Sequence, residues 1–231
     1  MSLTCNNLGF AYPGALQPLL SDVSFHLLQP GLHSFFGPSG VGKTTLAKII
    51  SGDIIGHTGS VKIDGLSSVL YCHNKERLPG WSSVDLHLRK IISAERHVQL
   101  DELIEIFGLS DCAGTRFGQL SMGQQNRVNL IRYLLQDCDL LIMDESLANV
   151  DELTRGRIIL AIKAMFPKRF FIYISHNVME VGRYCDRILV FRSSDKRPQT
   201  LMVEGCDDRG SDKEFSRSAL DTTLLEIMNA S

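Results

Sequence analysis

A glycine-rich loop lies between an apolar segment and a segment of helical periodicity, and this feature constrains the fold most. The loop comprises eight consecutive residues, Gly37, Pro38, Ser39, Gly40, Val41, Gly42, Lys43 and Thr44. Residues 32–36 are mainly apolar, as in a strand, and residues 43–51 carry apolar side chains at helical spacing. Backbone N–H groups of such a loop can surround a phosphate, Lys43 can reach its oxygens, and the Thr44 hydroxyl can ligate Mg²⁺. The pattern predicts a nucleotide-binding unit; a plain glycine-rich turn is the alternative.

Two adjacent carboxylates, Asp144 and Glu145, end an apolar run at 140–143. At the mouth of a parallel sheet beside a phosphate-binding loop, Asp144 can hold Mg²⁺ through its water shell. Glu145 can orient or deprotonate an attacking water there. The pattern therefore predicts a metal-binding and a catalytic carboxylate, with an exposed acidic strand end as the alternative.

The remaining apolar patterns define the predicted architecture. Strands are predicted at 3–10, 23–28, 32–36, 61–63 and 69–71, with Asp64 and Gly65 as a tight turn between the last two. Residues 83–118 have helical spacing and read as an insertion whose helix stops at Gly108. Further along the chain, helices are predicted over 121–135 and 151–166, and strands at 140–143 and 170–174. A hairpin between Phe191 and Met202 and a terminal helix over 214–228 complete the prediction. These elements predict an α/β fold, a P-loop NTPase core with a mainly parallel sheet, an N-terminal antiparallel β region and a small helical insertion.

Composition excludes several classes of protein. The 231 residues include 24 basic and 26 acidic side chains, a net charge of −2, so nucleic acid is not an expected partner. No stretch of about 20 apolar residues predicts a membrane span, and the start of the chain lacks a secretory signal pattern. The six cysteines are scattered without a C-x-x-C pair, which indicates neither a zinc site nor a disulfide framework. We therefore expect residence in the cytosol without direct membrane insertion.

Residues 120–124, Leu-Ser-Met-Gly-Gln, and the helix predicted after them carry a family resemblance. They resemble the signature motif of the ATP-binding cassette (ABC) ATPases, whose common form is Leu-Ser-Gly-Gly-Gln. The resemblance covers essentially the whole chain, with the motifs in the family's order and spacing. It implies one ABC ATPase domain over 1–231, with a nucleotide-binding core at 1–73 and 137–231 and a helical subdomain carrying the signature at 74–136.

The resemblance also implies residue roles in nucleotide binding. Tyr12 corresponds to an aromatic that stacks on adenine, and a core or turn tyrosine is the alternative. Residues 37–44 and Thr45 would bind the nucleotide. Three signature residues, Ser121, Gly123 and Gln124, would close over the γ-phosphate bound by a second subunit, with a plain helix N-cap at Ser121 as the alternative.

Two further residues follow from the same resemblance. Asp151 ends a loop, residues 148–151, by which two subunits communicate, and it is also a natural N-cap for the next helix. His176 corresponds to the switch histidine that contacts the γ-phosphate; the alternative is a structural histidine at a strand end. Lys43, Glu145 and His176 are thus the predicted catalytic residues.

Two departures from the family pattern are visible. His73, with Asn74 as the alternative, stands where the family has a glutamine that contacts Mg²⁺ and water. A surface-loop histidine is the structural alternative for His73. Met122 replaces the first of the paired signature glycines and adds a side chain where close approach to the nucleotide is usual.

The resemblance implies an ATP-hydrolysing subunit of a membrane transporter. ATP and Mg²⁺ would be its cofactors, and a second copy or a homologous ATPase would complete a head-to-tail pair. The pair would lie on the inner face of the cell membrane, bound to a transmembrane permease subunit. Residues 78–81, Leu-Pro-Gly-Trp, resemble ATPases of the nitrate, sulfonate and taurine importer group. The alternatives are a weakly hydrolysing regulatory subunit, motivated by His73 and Met122, and a soluble P-loop kinase or GTPase.

Overall fold

The computed structural model describes residues 1–73, 80–193, 196–210 and 216–231. These residues form nine strands and seven α-helices. The strands are β1 (Ser2–Phe10), β2 (Leu20–Leu27), β3 (Gly31–Phe36), β4 (Thr58–Asp64), β5 (Val69–His73), β6 (Leu140–Asp144), β7 (Phe170–Ile174), β8 (Arg187–Phe191) and β9 (Thr200–Glu204). The helices are α1 (Lys43–Ile50), α2 (Val84–Ile91), α3 (His97–Ile106), α4 (Met122–Leu134), α5 (Glu152–Met165), α6 (Val178–Tyr184) and α7 (Arg217–Ala230).

A six-stranded, mainly parallel sheet forms the centre of the fold. Its strand order is β5-β6-β7-β3-β8-β9, and within the described part of this sheet β9 alone runs antiparallel to its neighbour. The register aligns His73 with Asp144 and Asp144 with Ile174, while Phe35 of β3 also pairs with Ile174. Because parallel strands end at the same edge, the segments that follow these four strands emerge side by side.

A second, antiparallel sheet has the order β2-β1-β4 and confirms the predicted N-terminal β region. Side chains along the parallel strands alternate between two cores. Leu140 and Ile142 pack with α1 and the antiparallel sheet, whereas Leu141 and Met143 pack with α4 and α5. The parallel sheet is therefore covered on both faces, which explains the continuous apolar runs of its central strands.

The predicted helical insertion, hairpin and mainly parallel sheet are confirmed, and the structure adds two details. The turn at Asp64 and Gly65 does not join a hairpin, because β4 pairs with β1 and β5 pairs with β6 in the other sheet. Helix α6 was not predicted. The terminal helix is described from Arg217, so its predicted start at residue 214 lies outside the described residues, as does Asn74.

In the described part of the chain, no helix combines the length and the apolarity that crossing a membrane requires.

Candidate active site

The glycine-rich loop closes tightly over the end of β3. Gly37 has φ +143°, and a Cβ atom built there would lie 2.6 Å from the carbonyl oxygen of Phe191. Only glycine fits this position without a shift of the backbone of β8. The chain then turns directly into α1, whose first residue is Lys43. The close contact of Gly37 with β8 therefore fixes the position of the loop and of the N-terminus of α1.

The Lys43 side chain is buried within the curl of the loop. Its Nζ atom donates to the carbonyl oxygens of Gly37 and Pro38, each at 2.6 Å. Burial lowers the pKa of Lys43, and the carboxylates of Asp144 and Glu145 act in the opposite direction. The ammonium group thus lies among loop carbonyls, within the electrostatic reach of both acidic residues.

Asp144 is 8% exposed and accepts two hydroxyl hydrogen bonds on one oxygen. Thr44 Oγ1 donates to Asp144 Oδ2 at 2.8 Å, and the Tyr71 hydroxyl donates to the same oxygen at 2.6 Å. Tyr71 was not predicted as a site residue. Its position two residues before His73 in β5 places both side chains on one face of the strand, and this spacing could have indicated it. Burial, followed by the hydrogen bond to Asp144, raises the pKa of Tyr71.

Glu145 and His176 meet at the same edge of the sheet. Glu145 has the left-handed φ of +54°, and its backbone N–H donates to the carbonyl of Ile174 at 3.2 Å. His176 Nε2 lies 3.1 Å from Glu145 Oε1, and both side chains are about half exposed. The structure therefore brings together two predicted catalytic residues that lie 31 positions apart in the chain. Both the carboxylate and the imidazole are accessible to solvent.

Two adjoining cavities are lined by most of the residues predicted to bind nucleotide, to bind metal or to act in catalysis. Three loop residues, Gly37, Pro38 and Val41, are not among the lining residues. A cavity of about 640 Å³ is lined by Tyr12, Thr44, Tyr71, His73, Asp144 and Glu145, among others. A cavity of about 220 Å³ is lined by Ser39, Gly40, Gly42, Lys43, Thr44, Thr45, Asp144, Glu145 and His176, among others. Because Thr44, Asp144 and Glu145 line both cavities, the cavities adjoin, and together they are termed the groove.

Tyr12 and His73 lie on the walls of the larger cavity. The Tyr12 hydroxyl is 3.1 Å from Thr45 Oγ1, and its half-exposed ring stands edge-on to Phe10 at 5.0 Å between centroids. The ring of His73 lies 5.7 Å from that of Tyr71. Both predicted side chains therefore face the groove, and their roles there remain predictions.

The predicted signature residues lie at the start of α4. Ser121 Oγ accepts from the backbone N–H of Gln124, whose Oε1 accepts from the Ser121 N–H at 2.8 Å, forming a reciprocal cap. A Cβ atom at Gly123 would lie 2.5 Å from the carbonyl oxygen of Asn149, so α4 packs directly on the 148–151 loop. Met122 is 62% exposed and is not part of this contact.

Asp151 caps α5 through its Oδ1, which accepts from the Thr154 N–H at 2.9 Å. This hydrogen bond lowers the pKa of the Asp151 carboxyl. None of Ser121, Gly123, Gln124 and Asp151 is among the described residues that line the two cavities. The structure thus separates the predicted residues into a groove and a second cluster outside it.

The groove offers oxygen donors suited to Mg²⁺. Within the described ranges, no three or more His, Cys, Asp and Glu side chains cluster in a way that could hold a metal. The Thr44 hydroxyl and Asp144 carboxylate, 2.8 Å apart, instead form a partial ligand set. Mg²⁺ commonly takes one or two protein oxygens and completes its shell with water and phosphate oxygens, so this donor set fits that ion.

Comparisons with known proteins give the following matches. A family model described as ABC transporter matches residues 20–148. The taurine import ATP-binding protein TauB of Ruegeria pomeroyi is 32% identical over 193 residues, covering 77% of this chain and 71% of that protein. The ribose import ATP-binding protein RbsA of Halalkalibacterium halodurans is 30% identical over 203 residues, covering 77% of this chain but 40% of its own length. The chain thus spans less than half of the ribose relative.

Two solved structures share the fold. An ATP-binding subunit of an ABC transporter superposes with a TM-score of 0.77 at 21% identity, covering 99% of this chain and 100% of that one. A bacterial Atm1-family ABC exporter with ATP bound gives a TM-score of 0.71 at 22% identity, covering 83% of this chain and 37% of the exporter.

Proposed function

Because the chain belongs to the ATP-binding cassette (ABC) transporter family, we propose that it is a transporter subunit that binds and hydrolyses ATP. One observation carries the proposal furthest. The Thr44–Asp144 and Glu145–His176 pairs meet at the carboxyl edge of the parallel sheet, where the glycine-rich loop also begins. A polyphosphate held by the loop would lie beside a metal-binding pair and a base with its histidine.

Residues 37–44 of the loop and Thr45 would bind the phosphates. The loop N–H groups and the N-terminus of α1 would face the anion, and Lys43 Nζ would exchange its carbonyl partners for phosphate oxygens. A triphosphate is a stronger acceptor than two neutral carbonyls, so this exchange is favourable. The half-exposed Tyr12 ring, at the mouth of the larger cavity, supplies an aromatic surface for adenine.

Thr44 and Asp144 would hold Mg²⁺, and His73, which lines the same cavity, would be a third contact. When bound, the ion neutralises charge on the β- and γ-phosphates. Glu145 would accept a proton from the water that attacks the γ-phosphorus, giving ADP and inorganic phosphate. His176 would orient the γ-phosphate oxygens by donating a hydrogen bond.

The residues outside the groove suggest how the site is completed. Ser121, Gln124 and the N-terminus of α4 would face the nucleotide of a second subunit, in a head-to-tail pair with Asp151 at the contact. Residues 74–136 would form the helical subdomain and 1–73 with 137–231 the core. The pair would be attached to a transmembrane permease on the inner face of the membrane, and the taurine relative favours an import system.

Substitution of the loop lysine tests the proposal. We expect Lys43→Ala to weaken Mg-ATP binding by about 100-fold, because the charged hydrogen bonds to phosphate are lost. Lys62→Ala, at an exposed position of β4, is the matched control and should bind within about twofold of the unmodified chain. Titration calorimetry measures the affinity and phosphate release measures turnover. Unchanged ATP affinity in Lys43→Ala would count against the assignment, and binding without turnover would favour the regulatory alternative.

A further inference from the structure

A buried carboxylate, that of Glu180, follows the predicted switch histidine by four residues. Glu180, in α6, is 7% exposed and accepts hydrogen bonds on Oε2 from the Tyr173 hydroxyl at 2.9 Å and from Ser175 Oγ at 2.8 Å. Its other oxygen, Oε1, is 3.2 Å from Nη1 of Arg155 in α5. A carboxylate this deeply buried requires such partners to remain charged. Glu180 therefore links β7, α5 and α6 at one point.

Both chain neighbours of His176 are connected to Glu180. Ser175 donates its hydroxyl to the carboxylate, and its Oγ also accepts from the Asn177 backbone N–H at 3.2 Å. The Asn177 side chain in turn accepts from the Glu180 N–H at 3.2 Å. The backbone on either side of His176 is thus held, while its imidazole is half exposed and reaches Glu145.

The same network extends to the 148–151 loop. Nη2 of Arg155 donates to the carbonyl oxygen of Val150 at 2.5 Å, one residue before Asp151. Arg155 therefore contacts the loop with one nitrogen and Glu180 with another. A shift of the loop would be transmitted through the guanidinium to the carboxylate that holds the His176 segment.

We infer that Glu180 and Arg155 are positioning residues that hold His176 in register with Glu145 and couple its position to the 148–151 loop. This inference rests on the proposed ATPase function. The Glu145–His176 contact joins loops that follow two different strands, so its geometry depends on how each loop is supported. A displacement of about 1 Å between reacting groups can cost on the order of 100-fold in rate.

A double-mutant cycle on the 231-residue chain tests the inference. We expect Glu180→Gln to lower kcat about tenfold and to leave the affinity for Mg-ATP within about twofold, because the groove itself is unchanged. In the His176→Ala background the same substitution should have almost no further effect, because the group that it positions is absent. Ser175→Ala, which keeps the ion pair, is the second variant if Glu180→Gln does not fold, and it should show the same dependence on His176.

Asp208→Asn is the matched control. It removes the ion pair, at 2.8 Å, between Asp208 and Arg183. Arg183 lies in α6, the helix that also carries Glu180. We expect it to lower the melting temperature while kcat stays within about twofold.

Each remaining outcome overturns the inference. Equal losses of kcat in the presence and absence of His176 would make Glu180 merely structural, and an equal loss in Asp208→Asn would point to general loosening of α6. Unchanged kcat in His176→Ala would overturn this inference but leave the proposed ATPase function in place. Failure of the unmodified chain to release phosphate would overturn the proposed function as well.

Discussion

At the scale of single residues, the two central positions of the signature differ in what surrounds them. Gly123 faces the carbonyl of Asn149 with no space for a side chain, whereas the Met122 side chain points largely into solvent. The departure from the family pattern at Met122 therefore leaves the packing within this chain intact. Its effect would be confined to the surface that we propose to face a second subunit.

We expect Gly123→Ala to destabilise the fold by about 1–3 kcal/mol, because its Cβ would overlap the 148–151 loop. Met122→Ala, at the neighbouring exposed position, should change stability by less than about 0.5 kcal/mol. Urea unfolding of the two variants measures the difference. Equal stabilities would show that the loop moves aside at no cost.

At the scale of elements, β3, which lies between β7 and β8, carries a buried titratable side chain. His33 is 2% exposed, and its Nε2 lies 3.0 Å from the carbonyl oxygen of Gln29. Burial lowers the pKa of His33, with the hydrogen bond to Gln29 and the charge of Asp186 acting in the opposite direction. The folded state therefore favours the neutral imidazole more than the unfolded state does.

This difference predicts a pH-dependent stability. Below the unfolded pKa of about 6.5, the unfolded chain binds a proton that folded His33 does not, so stability falls as pH falls toward the folded pKa. The contribution is at most about 1.4 kcal/mol per pH unit. We expect His33→Gln, which keeps a donor for Gln29, to flatten this slope between pH 7.5 and about 5.5 in urea unfolding. His26→Gln, exposed in β2, should retain the original slope, and an unchanged slope in His33→Gln would refute the assignment.

Strands β6 and β7 agree with their predicted limits to within one residue because buried parallel strands produce short, continuous apolar runs. The predicted turn after β4 is present at Gly65, but the next strand joins the other sheet. A local turn pattern contains no information about which sheet receives that strand. Helix α6 has only seven residues, too few for a clear apolar repeat.

The candidate site likewise contains some residues that local sequence patterns predict and others that they do not. The loop 37–44 and the Asp144–Glu145 pair are local patterns and could be predicted from sequence. The contact between Arg155 and Glu180 could not, because it joins two separate helices. For Tyr71, the spacing from His73 indicates the face of the strand but not the contact with Asp144 on the neighbouring strand. Long-range contacts of this kind have no signature in a single chain.

At the scale of the whole molecule, the proposed pair of subunits predicts an ATP-dependent change in mass. We expect Glu145→Gln, which would slow hydrolysis, to shift from one to two copies in solution on addition of Mg-ATP. Lys43→Ala in the same background should remain a single copy at an ATP concentration that saturates the unmodified chain, because its affinity for nucleotide would be about 100-fold lower. Light scattering coupled to size-exclusion chromatography measures both. A single copy that still binds ATP would contradict self-pairing and indicate a different second subunit.

The hydrogen bond between Thr44 and Asp144 joins residues 100 positions apart in the chain. The oxygen pair proposed to bind the metal therefore comes into existence only when β3 and β6 are both in place within one sheet. A ligand that bridges the two residues binds the folded chain and not the unfolded one, which adds about 2.7 kcal/mol of stability at a hundred times its Kd. Under the proposed function, the fraction of this protein that is folded would therefore also depend on the concentration of nucleotide.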